Sequence, residues 1–159
     1  MPTYEPKMTD AEFLSRIEQK PFAQGTRRNA HRVIDDQNVV VKQMRDVFPG
    51  ANFTEHFVWL TVAQTSLVDL FGRCLSISDT GRFLMMERLD DITEADWADI
   101  PSFPDWVNDA KPTNFGKTGG EIKLRDYDVI SLDRFAVTET DYRPAFAVNA
   151  KTNRMLGKR

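Results

Sequence analysis

Short apolar runs separated by turn residues dominate the first half of the chain and predict a β-sheet. The strongest strand signal is the run from Val39 to Val41 inside residues 38–43, because consecutive β-branched residues are typical of a buried strand. Hairpins are predicted before and after it, where pairs of apolar runs flank short turns. The remaining predicted strands are residues 22–25, 31–34, 75–78, 82–87 and 121–124.

Two stretches have helical spacing instead. In residues 11–19 the apolar side chains recur on one face, after a capping residue at position 9 or 10. A second helix, capped by residue 52 or 54 and running to about residue 64, has apolar side chains on all sides, which predicts a mostly buried helix. These side chains are Phe53, Phe57, Val58, Leu60 and Val62. Together the helices and strands predict an α+β fold with an antiparallel sheet.

Composition limits the classes of protein that this chain can belong to. With 159 residues, 28% charged and 41% hydrophobic, it is expected to fold as one domain or as two small lobes, with a loose arm at 1–8 and a frayed tail at 151–159. The net charge of −3 gives no reason to expect nucleic acid or an acidic membrane as a partner. No apolar run approaches the roughly 20 residues that span a bilayer, and no signal-peptide core precedes the first helix. The lone Cys74 excludes an internal disulfide, so we expect a cytoplasmic protein.

Several kinds of site are disfavoured by the absence of their motifs. His31 and His56 have no second ligand at a spacing suited to zinc. No nucleophile elbow, Cys–His pair or Walker-type loop occurs, which disfavours hydrolases and P-loop proteins.

The most informative polar residues lie in the second half of the chain, on either side of the strand predicted at 121–124. Asp109-Ala110-Lys111-Pro112-Thr113-Asn114 precedes that strand, and Asp126-Tyr127-Asp128 follows it. Two carboxylates and a carboxamide on adjoining loops can hold a divalent cation on a polyphosphate and position a hydroxyl group for attack. An ordinary turn is the alternative explanation of the first segment, because its residue types are common in turns.

The spacing Asp-x-Lys-x-x-Asn, followed by Asp-Tyr-Asp, resembles the catalytic loop and metal-binding turn of protein kinases and related small-molecule phosphotransferases. The resemblance implies ATP and Mg²⁺ as cofactors. It implies that Asp109 orients the acceptor hydroxyl and accepts its proton, while Lys111 neutralises the transferred phosphoryl group. Asn114 and Asp126 would ligate Mg²⁺.

The same resemblance assigns roles to residues in the first half of the chain. Lys42 would reach the α- and β-phosphates, Glu55 would pair with Lys42, and Gly25 would lie in the loop that covers the phosphates. The backbone from Glu87 to Leu89 would hydrogen-bond an adenine edge. For Lys42 the alternative is a solvated residue at a strand end, and for Glu55 it is a carboxylate favoured by the helix dipole.

The implied fold is kinase-like, with an antiparallel-sheet lobe and one main helix over residues 1–90, and a much reduced carboxy-terminal lobe over 91–159. The implied function is an ATP- and Mg²⁺-dependent phosphotransferase acting on a host or cellular protein. The alternative is a catalytically inactive kinase-like binding or inhibitor protein, of the kind encoded by viruses or pathogens, that docks onto a partner. The short stretch after Asp128 leaves no room for a helical substrate lobe and favours this alternative. Both hypotheses predict a protein partner, and self-association into a homo-oligomer is a further expectation.

Overall fold

A computed structural model of the chain describes residues 3–45, 50–108, 111–131, 133 and 135, and the backbone of residues 142–143. The chain divides into two compact units, where the sequence predicts lobes at 1–90 and 91–159. The first unit contains Met1–Trp59 and Arg73–Arg88, and the second contains Leu60–Gly72 and Leu89–Arg159.

The first unit is mostly sheet, as the apolar pattern predicts. Its strands are β1 (Lys7–Met8), β2 (Ala23–Gln24), β3 (Arg28–Val33), β4 (Asp36–Met44), β5 (Cys74–Ser78) and β6 (Phe83–Glu87), and its helices are α1 (Asp10–Arg16) and most of α2 (Gly50–Val62). The strands form one sheet in the order β1-β5-β6-β4-β3-β2. Its neighbouring strands are antiparallel apart from the parallel pair β1–β5. Both predicted hairpins are therefore confirmed.

The two faces of this sheet carry different side chains, because successive residues of a strand point to opposite sides. On one face Val41 and Met85 are opposite each other and fully buried, and Phe13 of α1 stacks on Phe83 at a centroid distance of 5.4 Å. The buried residues of this core are Met8, Phe13, Ile17, Val33, Val39, Val41, Phe83 and Met85. The opposite face carries Lys42 and receives α2. Side-chain contacts from α2 to β4 are therefore partly polar.

The amino-terminal arm differs from its prediction. Residues 1–8 were expected to be loose, but Lys7 and Met8 pair with β5, and Met8 is buried in the core. The Tyr4 hydroxyl donates to Asp36 Oδ2 at 2.8 Å. Pairing with a strand edge is a tertiary contact that the local composition of a proline-containing segment does not reveal.

Helix α2 also differs from its prediction, because it is amphipathic and not buried all round. Val58 and Val62 have no exposed surface, as expected of a helix packed on a sheet. On the opposite side Phe53, Phe57 and Leu60 are 45%, 55% and 58% exposed. Residues spaced by three or four positions share a helix face, so these three form one apolar stripe.

The second unit contains short elements around an aromatic core. They are β7 (Asp90–Asp91), β8 (Phe103–Pro104), β9 (Phe115–Thr118), β10 (Glu121–Leu124) and β11 (Tyr142–Arg143), with 3₁₀ helices at Ser66–Leu70, Glu94–Asp99 and Pro112–Asn114. One sheet has the order β10-β9-β7, and β11 pairs with β8. Strand β10 and its glycine turn are predicted correctly, with Gly119 and Gly120 at φ 55° and 84°. Strand β9 begins at Phe115, where a loop was predicted.

Within the described ranges, no helix is long and apolar enough to cross a membrane.

The two faces of α2 can be compared by truncating one apolar side chain on each. Val58→Ala removes fully buried methyl groups and should lower the free energy of unfolding by about 1–3 kcal/mol. The matched control Leu60→Ala removes an exposed side chain and should cost less than about 0.5 kcal/mol. Urea denaturation of both variants measures the difference. Equal losses would contradict the orientation of α2.

Candidate functional site

Lys42 and Glu55, which the sequence predicts to pair, are in direct contact in the first unit. The Lys42 Nζ donates to Glu55 Oε1 at 2.5 Å. The Lys42 side chain is 10% exposed and the Glu55 side chain is fully buried. Lys42 is therefore not a solvated residue at a strand end, and the helix dipole alone does not account for a buried Glu55 carboxylate. Both groups lie between β4 and α2 and are largely removed from water.

Arg28 is a further member of this cluster that sequence reasoning did not assign. Its Nη1 and Nη2 atoms donate to Glu55 Oε1 and Oε2, each at 3.2 Å. The strand register explains the approach: Ala30 is opposite Lys42 and Arg28 is opposite Met44, so Arg28 and Lys42 lie on the same face of the sheet. One buried carboxylate thus contacts two cations.

Asn52, one helical turn before Glu55, connects the cluster to the backbone of the sheet. Its Nδ2 group lies 3.1, 3.0 and 3.1 Å from the carbonyl oxygens of Lys42, Gly81 and Arg82. Its Oδ1 accepts from Arg28 at 3.1 Å. Asn52 has no exposed surface, so these bonds replace the water that an amide group would otherwise require.

The loop that contains Gly25 is a tight turn between β2 and β3. The Gly25 amide donates to Arg28 O at 2.8 Å, and the Gly25 carbonyl accepts from Arg45 Nη1 at 2.7 Å. The Gly25 amide therefore already donates its hydrogen bond within the turn. A contact of this loop with phosphate would have to use other groups.

The segment from Glu87 to Leu89 is also partly committed to protein contacts. The Glu87 amide donates to Arg73 O at 2.9 Å, and the Arg88 amide donates to Asn38 O at 2.8 Å. The Glu87 carboxylate accepts from the Arg73 amide at 2.7 Å. Any adenine contact made by this segment must come from its other backbone groups.

In the second unit the segment around residues 109–114 and the segment around residues 126–128 are joined by backbone hydrogen bonds, both before Asp109 and at Asn114. Asp109 lies outside the described residues, but the segment before it pairs with the segment after Asp128: Asn108 N donates to Val129 O at 3.0 Å, and Ser131 N donates to Trp106 O at 2.7 Å. Lys111 is half-buried, and its carbonyl accepts from the Asn114 amide at 2.8 Å. The predicted adjacency of the loops is therefore observed for their described parts.

Asn114 and Asp126, the predicted metal ligands, are joined through the backbone. The Asn114 carbonyl accepts from the Arg125 amide at 2.8 Å and from the Asp126 amide at 3.4 Å. The Arg125 side chain adds to these backbone contacts, because its guanidinium group donates to Thr113 O and Leu89 O, each at 3.2 Å. Its Nη2 atom also lies 2.8 Å from Asp91 Oδ1, and sequence reasoning missed Arg125 because these partners lie far from it along the chain.

Tyr127 anchors the turn that carries Asp126. It is 1% exposed, and its hydroxyl donates to Gly72 O at 2.7 Å. Its ring meets the Phe71 ring edge-on at 5.0 Å, and Phe71 stacks on Trp106 at 5.7 Å. A rigid aromatic core thus fixes the backbone next to Asp126.

The oxygen donors of Asn114 and Asp126 suit Mg²⁺, which usually binds one or two carboxylates together with substrate phosphates and water. Within the described residues, no group of three or more His, Cys, Asp or Glu side chains could hold a metal ion.

Displaced pKa values occur at described residues outside this candidate set. Burial, followed by the bond to Asp36, raises the pKa of Tyr4 to about 12. The Thr93 amide, followed by Lys117, holds the pKa of Asp96 below its usual range. Burial is the main cause that lowers the pKa of His56. These shifts belong to local packing and capping.

No known family model and no curated protein sequence matches this chain. Solved structures do match, among them the ternary complex of streptomycin, ATP and APH(2")-IIa, with 18% sequence identity and a TM-score of 0.41. The match covers 57% of this chain and 32% of that protein. At this similarity, its activity does not transfer to this chain.

Neutralising Glu55 should strongly destabilise the first unit. Glu55→Gln would leave two largely buried cations, and its amide group would face an Arg28 donor, so we expect a loss of about 3–5 kcal/mol. Chemical denaturation measures this loss. Glu121→Gln, at an exposed strand position, is the control and should change stability by less than about 0.5 kcal/mol. A similar effect of both variants would contradict the buried cluster.

Removing the Tyr127 hydroxyl should loosen the turn next to Asp126. Tyr127→Phe keeps the ring contact with Phe71 but leaves the buried Gly72 carbonyl without this donor, at a cost of about 1–2 kcal/mol. Amide hydrogen exchange should increase at residues 125–128 more than in β4. Unchanged exchange there would show that the hydroxyl does not anchor the turn.

Proposed function

We propose that the protein is an ATP- and Mg²⁺-dependent phosphotransferase of the protein-kinase type. The observation that carries this proposal is the buried Lys42–Glu55 ion pair between a central strand and the main helix. Phosphoryl transfer requires little covalent chemistry from a protein and depends on positioning and charge neutralisation. A lysine ammonium held by a buried carboxylate meets this requirement.

Each candidate residue has a defined part in the proposed reaction. Lys42 contacts the α- and β-phosphates, and Glu55 keeps its ammonium in place. Asn114 and Asp126 supply oxygen ligands to Mg²⁺, which neutralises charge on the phosphates when it is bound. Asp109 accepts the proton of the attacking hydroxyl, and Lys111 neutralises the transferred group. The acceptor in this proposal is a hydroxyl of a protein partner.

A second candidate function is a kinase-like binding protein that does not catalyse transfer. The exposed stripe of Phe53, Phe57 and Leu60 on α2 favours it, because contiguous apolar surface often marks a site of protein association. This function would need the outer face of α2 but not the buried cluster on its inner face. Nucleotide binding therefore separates the two functions.

Thermal unfolding with and without ATP and Mg²⁺ tests the proposed function. At a nucleotide concentration 100 times Kd, binding stabilises the folded state by about 2.7 kcal/mol, which should raise Tm by about 5–10 °C. Asp126→Asn and Lys42→Met should each reduce the shift. Asp99→Asn, at an exposed position of the second unit, should preserve it.

Transfer of the γ-phosphate is then measured with cell-lysate proteins and, separately, with streptomycin as acceptors. Asp109→Asn should abolish transfer while preserving the nucleotide-induced rise in Tm. The absence of any rise at saturating ATP and Mg²⁺ would refute the phosphotransferase and favour the binding protein.

A further inference from the structure

Arg28 contacts two side chains of the buried cluster, Glu55 and Asn52. Its guanidinium group bonds both carboxylate oxygens of Glu55 at 3.2 Å and the side-chain oxygen of Asn52 at 3.1 Å. The side chain is 10% exposed. This fork geometry fixes the plane of a carboxylate, which a lysine ammonium cannot do.

Lys42 and Arg28 contact the Glu55 carboxylate in different ways. The Lys42 ammonium donates to Oε1 of Glu55, and the Arg28 guanidinium group donates to Oε1 and Oε2. The terminal torsion of a carboxylate side chain is soft, and two parallel bonds from a planar guanidinium group fix it. With Arg28 in place, Oε1 is held at one position facing Lys42.

Arg28 also links this carboxylate to the loop before β3. The Arg28 carbonyl accepts from the Gly25 amide at 2.8 Å, and the neighbouring Arg27 carbonyl accepts from the Arg45 amide at 2.8 Å. The backbone of Arg28 is therefore fixed independently of its side chain. The Arg28 side chain therefore extends from a backbone position that these hydrogen bonds hold in place.

We propose that Arg28 is a positioning residue that aims the Lys42 ammonium by clamping Glu55 against β3. This role rests on the function proposed above, in which Lys42 contacts nucleotide phosphates. Arg28 acts through Glu55 and needs no contact with the nucleotide. The clamp holds α2 on the sheet in the free protein, so no activating partner or modification is required to form the Lys42–Glu55 pair.

Calorimetric titration of the full chain with metal-free ATP and with adenosine tests this role. Arg28→Ala should raise the Kd for ATP about tenfold to a hundredfold, since the loss of a hydrogen bond to a charged group has effects of this size. The Kd for adenosine should not change, because adenosine has no phosphates for Lys42 to contact. Arg32→Ala, an exposed arginine on the same strand whose guanidinium lies over Phe22, is the matched control and should change neither constant.

The ammonium resonance of Lys42, observed by NMR in lysine-labelled protein, gives a second readout that does not depend on nucleotide. It should be sharp in the wild type and Arg32→Ala, because a buried ion-paired ammonium exchanges slowly, and broadened or absent in Arg28→Ala. If wild-type protein does not bind ATP but the resonance depends on Arg28, the proposed function fails and the positioning role stands.

An intact Lys42 resonance together with unchanged ATP affinity in Arg28→Ala would overturn the proposal. Equal weakening of ATP and adenosine would also overturn it, since that result indicates a general structural role. If Arg28→Ala does not fold, Arg28→Lys decides by the same readouts, because it keeps the charge and loses the fork. Retention of the resonance and of ATP affinity in Arg28→Lys would refute the clamp.

Discussion

The buried carboxylate of Glu55 is the group on which the arrangement of the first unit depends. Removing a carboxylate from water costs several kcal/mol, and the cost is offset only by well-placed opposite charges and hydrogen bonds. Here Lys42 and Arg28 supply both, and Asn52 extends the network to three backbone carbonyls. Because apolar side chains of similar volume would join a helix to a sheet at least as well, stability alone does not explain an ionic cluster at this place.

The second unit positions its polar residues by a different means. Asn114 ends a 3₁₀ helix and Asp126 lies on the loop after β10, and the backbone at both places is fixed by aromatic packing and by hydrogen bonds to main-chain carbonyls. The Tyr127 ring packs edge-on against Phe71, and its hydroxyl donates to the Gly72 carbonyl. The Asn114 carbonyl accepts hydrogen bonds from the amides of Arg125 and Asp126. Short segments held in this way can present side chains with defined geometry outside the longer helices and strands.

The parts of the fold that follow local rules could be predicted from the sequence, whereas those set by pairing between distant segments could not. The valine run gave β4, and the Lys42–Glu55 pair followed from a resemblance in residue order. Arg28 was not assigned to the pair because its approach depends on the register of β3 against β4. The arm was predicted wrongly because its pairing with β5 and the burial of Met8 in the core are contacts between segments distant along the chain. The exposure of Phe57 and Leu60 was missed because an apolar helix does not reveal which side meets the sheet.

Helix α2 carries the features that support each of the two proposed functions, and it carries them on opposite faces. Glu55, Val58 and Val62 are buried, while Phe53, Phe57 and Leu60 are exposed. A protein that acted only by docking would need the outer face and would gain nothing from a desolvated carboxylate with two cations on the inner one. A phosphotransferase needs the inner face to keep an ammonium in place before its polyanionic substrate arrives, since preorganised charge is what such a reaction requires. The inner face therefore favours the proposed phosphotransferase over the proposed binding protein, and the exposed outer face is compatible with either.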